Sequence, residues 1–214
     1  MRFKGILLDL DGTLYDYNRA HAPAHEAIIR LWAEKTGLPA VTISDAIAEA
    51  RISVHDRLRG TAACHGRLLY FQGACERLGV SSFPLALDCY RLYWDVFIKN
   101  IQLYDGVAAF FDAVARIPVV IVTDLTADVQ HRKIIDLGLA PRITGMVTSE
   151  EAGCEKPAPF IFHLALRKLG VAAAEACMIG DDPKKDIEGA AAVGMTSFLA
   201  SGDFNPIIRA LNHG

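Results

Sequence analysis

The sequence predicts an α/β protein: a doubly wound parallel sheet into which a helical bundle is inserted. Two observations predict it. Five short apolar runs rich in β-branched residues recur along the chain, "GILLDL" at 5–10, "VVIVTD" at 119–124, "GMVTSE" at 145–150, "ACMIGD" at 176–181 and "TSFLA" at 196–200, with helix-patterned stretches between the later ones. The second is an interruption, since residues 17–102 carry helical patterns and no convincing strand.

The first run continues as "LLDLDGTLYD", with Asp9 and Asp11 two positions apart and Gly12 next. A strand bound for a buried sheet has no structural use for two carboxylates, because burying an unpaired one costs several kcal/mol. In the inserted region, "HEAIIRLWAEKTG" is a helix stopped by Gly37 with Pro39 beyond it, and Pro23 marks its start. "FPLALDCYRLYWDVFIKN" spaces Leu85, Tyr90, Tyr93, Val96 and Phe97 as one apolar helix face. The ends of the region, "LYDYN" and "LYDGV", read as two hinge strands, with Asp105-Gly106 turning the chain back toward the sheet. The expected division is a core of residues 1–16 with 103–214 and a helical cap of 17–102. Farther on, "PFIFHLALRKLG" spaces Ile161, Leu164, Ala165 and Lys168 for a helix with two faces.

The composition narrows the function. A chain of 214 residues, 52% hydrophobic, is ample for a real core. A net charge of −3 offers no broad cationic surface to nucleic acid, so a small solute is the expected partner. The five cysteines, Cys64, Cys75, Cys89, Cys154 and Cys177, are scattered with no Cys-x-x-Cys pair and read as reduced core residues. No apolar run approaches the ~18 residues of a membrane span, and "MRFKGILLDL" meets aspartate too early for a signal-peptide core. No membrane partner is expected, the cytoplasm is the default compartment, and the chain is expected to act as a monomer or homodimer. Phosphate-loop, serine-elbow and zinc-peptidase motifs are missing.

Polar residues stand where three apolar runs stop: Asp9 and Asp11, then Thr123 and Asp124, then Asp181 and Asp182 with Asp186 one turn on. Ligands of parallel α/β sheets sit beyond the carboxyl ends of the strands, so these groups are expected to converge. Carboxylates sharing one pocket repel unless a cation neutralises them, and an all-oxygen donor set suits Mg²⁺, with phosphate its natural companion.

"DLDGT" at 9–13, Thr123 at the end of its run, Lys156 in "EKPAPF" and "GDDPKKD" at 180–186, in that order, resemble the motifs of the haloacid dehalogenase superfamily of phosphohydrolases. The resemblance is to the subgroup whose helical cap is inserted after the first motif, on a Rossmann-like core. It implies a Mg²⁺-dependent phosphatase that hydrolyses a small phosphomonoester through an aspartyl-phosphate. Asp9 would be the nucleophile, and Asp11 would protonate the leaving oxygen and then deprotonate water. Thr123 and Lys156 would hold the phosphoryl group. Mg²⁺ would take the Asp9 carboxylate, the Asp11 backbone carbonyl and the Asp181 side chain. Asp186 is expected to orient ligands or waters. Asp182 fits either such a supporting place or an ordinary turn before Pro183.

Asp124 departs from the family pattern, where asparagine or a small residue often follows the threonine. Its backbone N–H is expected to meet phosphate while the side chain turns aside. In the cap, "HDRLRGTAACHGR" offers Arg57, Arg59, His65 and Arg67 for a substrate's second polar group, or equally a solvated helix end. His21 and His25, four apart, fit metal ligation less well than ordinary surface histidines. A phosphotransferase or phosphomutase uses the same carboxylates and is the alternative; a dehalogenase lacks the second aspartate, and a silent scaffold has no reason to keep the motifs.

Overall fold

The computed structural model describes residues 2–213. The chain forms two compact units, one running up to Tyr17 and resuming from Gln102, the other Asn18–Ile101.

In the first unit the five apolar runs become β1 (Gly5–Leu8), β2 (Val119–Thr123), β3 (Gly145–Thr148), β4 (Ala176–Gly180) and β5 (Thr196–Leu199). They form one sheet of order β3-β2-β1-β4-β5 in which every neighbouring pair is parallel. β1 is central, with Ile6 opposite Val119 on one side and Cys177 on the other. In β1 to β4 the strand is shorter than its apolar run because the polar residues toward the end of the run lie past the ladder. Strands β1, β2 and β4 are buried throughout, as a sheet covered on both faces requires.

The second unit holds α1 (Tyr17–Thr36, its first residue contributed by the other unit), α2 (Ala40–Arg57), α3 (Arg67–Leu78) and α4 (Leu85–Lys99), with a short 3₁₀ turn at Ala62–His65. Pro23 does not start α1 but lies inside it. The buried stripe Ala20, Ala24, Ile28 and Trp32 continues straight through the proline. Packing of that stripe outweighs a penalty of about 3 kcal/mol for an interior proline. The apolar face of α4 is also rotated from its sequence reading. Leu85, Ala86, Cys89, Tyr93, Trp94, Phe97 and Ile98 are buried while Tyr90 and Val96 are only partly covered, because Trp94 and Ile98 have more apolar surface to bury. Trp32, Phe71, Tyr93, Trp94 and Phe97 interlock edge to face and stacked at the middle of this unit.

The chain then supplies α5 (Val107–Ala113), α6 (Ala127–Asp136), α7 (Ser149–Ala152), α8 (Pro159–Leu169), α9 (Gly189–Ala192) and α10 (Asn205–His213). Ile161, Phe162, Ala165 and Leu166 of α8 pack with Leu7, Val120, Val122 and Met178 in one core, while Lys168 points outward to Glu151 and the Met146 carbonyl. α5 meets α10, and the Phe110 ring lies 5.1 Å from that of Phe204, the residue just before α10. Residues flanking the inserted unit are stitched together, since Tyr15 and Leu103 form an antiparallel bridge and the Tyr104 N–H donates to the Leu14 carbonyl at 2.9 Å. Among the described residues no helix is long and apolar enough to cross a membrane.

Candidate active site at the carboxyl ends of the strands

The Asp9 N–H still donates to the Ile179 carbonyl at 2.9 Å, so the backbone of β1 remains held against β4 where the first carboxylate emerges. Asp9 is 4% exposed. Its Oδ1 accepts from Lys156 Nζ at 2.6 Å and its Oδ2 from the Thr13 hydroxyl at 2.7 Å. Thr13 Oγ1 also lies 2.8 Å from Asp181 Oδ1. A hydroxyl has one proton, so this side chain bridges two carboxylates rather than satisfying both. Gly12 makes the approach possible: its φ is +92°, and a Cβ there would stand 2.5 Å from Asp181 Oδ2.

Lys156 comes from the loop between α7 and α8 and places Nζ 2.6 Å from Asp186 Oδ1 as well. Asp186 is anchored in turn, its Oδ2 accepting from the Asp182 N–H at 3.0 Å. One carboxylate oxygen from each of Asp9, Asp181 and Asp186 lies within 4.8 Å of the others. Burial pushes Asp9 up to about 6 against the pull of Lys156, and raises Asp181 and Asp186. Lys156 is held well above the ordinary lysine range; burial opposes its charge, but Asp9, Asp186 and Asp124 more than offset that. The trio of carboxylates therefore shares too few cations among the side chains around it.

Asp11 has different surroundings. Its Oδ1 accepts from Lys133 Nζ at 2.6 Å and from the Tyr15 hydroxyl, and its Oδ2 accepts from Gln130 Nε2 at 2.8 Å. Burial alone would raise its pKa, yet the Lys133 ammonium and these hydrogen bonds hold it below the usual carboxylate value. Gln130 Nε2 also lies 2.6 Å from Thr123 Oγ1 at the end of β2. The Asp124 carboxylate accepts the Lys156 N–H at 3.0 Å and Lys185 Nζ at 2.9 Å. Asp182 caps the turn that follows it, its Oδ1 accepting the Lys184 and Lys185 N–H groups at 2.9 Å.

Asp9, Asp11, Thr123, Asp124, Lys156, Asp181, Asp182 and Asp186 thus gather at one end of the sheet, although they come from the ends of four strands, β1 to β4, and the segments that follow them. The Arg67 guanidinium lies 5.3 to 5.6 Å from the Tyr70, Tyr93 and Trp94 ring centres and donates to the His65 carbonyl. Arg59 pairs with Asp56 on an exposed turn, Arg57 is exposed, and the His65 ring sits 5.0 Å from that of His55. His21 bonds the Tyr93 hydroxyl at 2.8 Å and faces His25.

The residues that sequence reading missed are Gln130, Lys133, Tyr15 and Lys185. A signal for two of them exists: Val129, Gln130, Lys133 and Ile134 make the buried stripe of α6, so two strongly polar residues occupy positions an amphipathic helix reserves for apolar ones.

A sequence model of the haloacid dehalogenase-like hydrolases matches residues 3–194. The chain belongs to this family. Among curated relatives of this haloacid dehalogenase-like hydrolase, a ribulose-1,5-bisphosphate 5-phosphatase of Halopiger xanaduensis is 34% identical over 91% of this chain and 83% of its own. A glyceraldehyde 3-phosphate phosphatase of Methanopyrus kandleri is 30% identical over 91% and 82%. The fold is shared with a 2-haloacid dehalogenase of Pseudomonas syringae, with TM-score 0.76, 24% identity and coverage of 98% and 99%. A hydrolase of the same family from Bacillus subtilis, in a magnesium-bound structure, gives TM-score 0.74 at 18% identity over 99% and 100%.

Proposed function

We propose that this hydrolase is a Mg²⁺-dependent phosphatase of a small phosphomonoester, working through an aspartyl-phosphate on Asp9, with residues 18–101 as the cap that selects the substrate. The observation that carries the reading is the juxtaposition of Asp9, Asp181 and Asp186, whose oxygens lie within 4.8 Å of one another with Lys156 between two of them. That surplus of negative charge, built only from oxygen donors, fits a hard divalent cation. The Asp9 and Asp181 carboxylates and the Asp11 backbone carbonyl would hold it, with Asp186 steadying the cluster. When bound, the cation neutralises the carboxylates and polarises the phosphoryl oxygens.

Asp9 Oδ attacks phosphorus, the Asp9–phosphorus bond forms, and the ester P–O bond breaks. Asp11 gives a proton to the departing alkoxide, which leaves as the alcohol. A water then attacks the aspartyl-phosphate while Asp11 takes its proton, releasing inorganic phosphate and the Asp9 carboxylate. Thr123 donates to a phosphoryl oxygen, and Lys156 lets two anions approach. The relatives named for ribulose-1,5-bisphosphate and glyceraldehyde 3-phosphate support a phosphorylated small-molecule substrate.

The test is phosphate release from a panel of phosphorylated metabolites and 4-nitrophenyl phosphate with Mg²⁺ present. Turnover is expected for several members of the panel, and its absence for all of them would sink the reading.

A further inference from the structure

We propose that Gln130 and Lys133 of α6 are positioning residues that present a single oxygen of Asp11 to the reacting ester; this rests on the phosphatase reading. A carboxylate offers about four lone-pair sites, two on each oxygen. On Asp11, Lys133 and Tyr15 occupy both sites of Oδ1, and Gln130 occupies one site of Oδ2. What remains open for proton exchange is the second site of Oδ2.

Stability does not account for this arrangement. Lys133 and Gln130 are both fully buried, and Gln130 Oε1 has no hydrogen-bond partner among the described residues. A buried ammonium, its largely buried carboxylate partner Asp11 and an unsatisfied amide oxygen are together costly, whereas apolar residues in place of the whole group would fill the space at no greater cost. The amide gives a second clue. Gln130 Nε2 touches Asp11 and Thr123 together, joining the acid–base group to the hydroxyl expected to bind phosphate. Gln130 and Lys133 are three apart on one helix, so a rigid element sets the distance between both contacts. Lys133 acts through Asp11, while Gln130 acts through Asp11 and Thr123.

The experiment exploits the proton that Asp11 delivers. Benzyl phosphate must expel an alkoxide and needs that proton; 4-nitrophenyl phosphate, close to it in size, expels a stable phenolate and does not. With Mg²⁺ present, kcat/KM is measured on both esters for the wild type, Lys133→Met, Lys133→Gln and Gln130→Met. The lysine variants are expected to lose roughly 10- to 100-fold more on benzyl phosphate than on 4-nitrophenyl phosphate, a part of the 10²- to 10⁴-fold that general acid catalysis contributes, because Asp11 is misplaced rather than removed. Gln130→Met is expected to add a rise in KM on both esters, because Thr123 loses its partner. The comparison is a ratio within one preparation, so partial unfolding cancels. Equal losses on the two esters, or none, would overturn the positioning role alone, and a wild type that hydrolyses neither these esters nor any member of the metabolite panel would overturn the phosphatase reading and the positioning role with it.

Discussion

Lys156 Nζ and Asp186 Oδ1 lie 2.6 Å apart with both side chains almost wholly buried, and the same ammonium lies 2.6 Å from Asp9 Oδ1. One cation therefore serves two carboxylates, and the two halves of this arrangement respond in opposite ways to mutation. Lys156→Met leaves two buried carboxylates without their cation, a loss of about 3–5 kcal/mol. Asp9→Asn leaves a neutral pair and should fold at least as stably as the wild type, while turnover falls by at least about 10³-fold. Urea denaturation and phosphate release measure both. An Asp9→Asn protein that keeps most of its kcat would remove Asp9 from the nucleophile's place.

Metal removal should be visible without any substrate. If the acidic cluster holds Mg²⁺, the cation at 100 times its Kd stabilises the fold by about 2.7 kcal/mol. Addition of EDTA should then lower the Tm of the wild type and barely move that of Asp181→Asn. Identical EDTA shifts in the two proteins would place the cation elsewhere.

Asp124 spends its carboxylate on the Lys156 N–H and on Lys185, whose side chain is partly exposed. Asn at this position keeps the first contact and loses an ion pair worth about 0–1 kcal/mol. It also removes a negative charge beside the group expected to bind phosphate. Asp124→Asn should therefore leave Tm within a few degrees, hold kcat within about threefold and lower KM for a phosphomonoester. A raised KM would mean that the carboxylate itself assists binding.

His21 supplies a pH test in the inserted unit. Burial, then the Arg67 cation, lower its pKa from 6.5 to about 4. Between those values the unfolded chain binds the proton and the folded one does not, so stability present above pH 6.5 is lost as pH falls toward 4. His21→Gln should flatten that part of the stability curve relative to wild type. A carbon-13 NMR titration of the His21 ring should show a midpoint well below 6.5, and an ordinary midpoint would refute the environment described.

Strands β1, β2 and β4 were legible because burial on both faces demands unbroken apolar runs, and the motif residues were legible because carboxylates at the ends of such runs have no packing purpose. Pro23 and the α4 face were misread for a common reason: both are decided by how large side chains such as Trp32 and Trp94 pack, and pairwise packing leaves no local mark in sequence. Gln130 and Lys133 escaped notice because a polar residue on a helix reads as solvent-facing until its neighbours are known. The Asp124 side chain was expected to turn aside, but its partner Lys185 lies 61 positions later, beyond any local pattern.

The stitch between Tyr15 and Leu103, reinforced by the Tyr104 N–H on the Leu14 carbonyl, means that the sheet unit treats the whole of Asn18–Ile101 as a single closed loop. Loop closure depends only logarithmically on length, each doubling adding about 0.6 kcal/mol. A segment twice as long, or half as long, would thus be nearly equivalent for the chain that carries the carboxylates, provided that its two ends come close together. One inserted unit can then be exchanged for another at this seam while the residues beside β1 stay as they are.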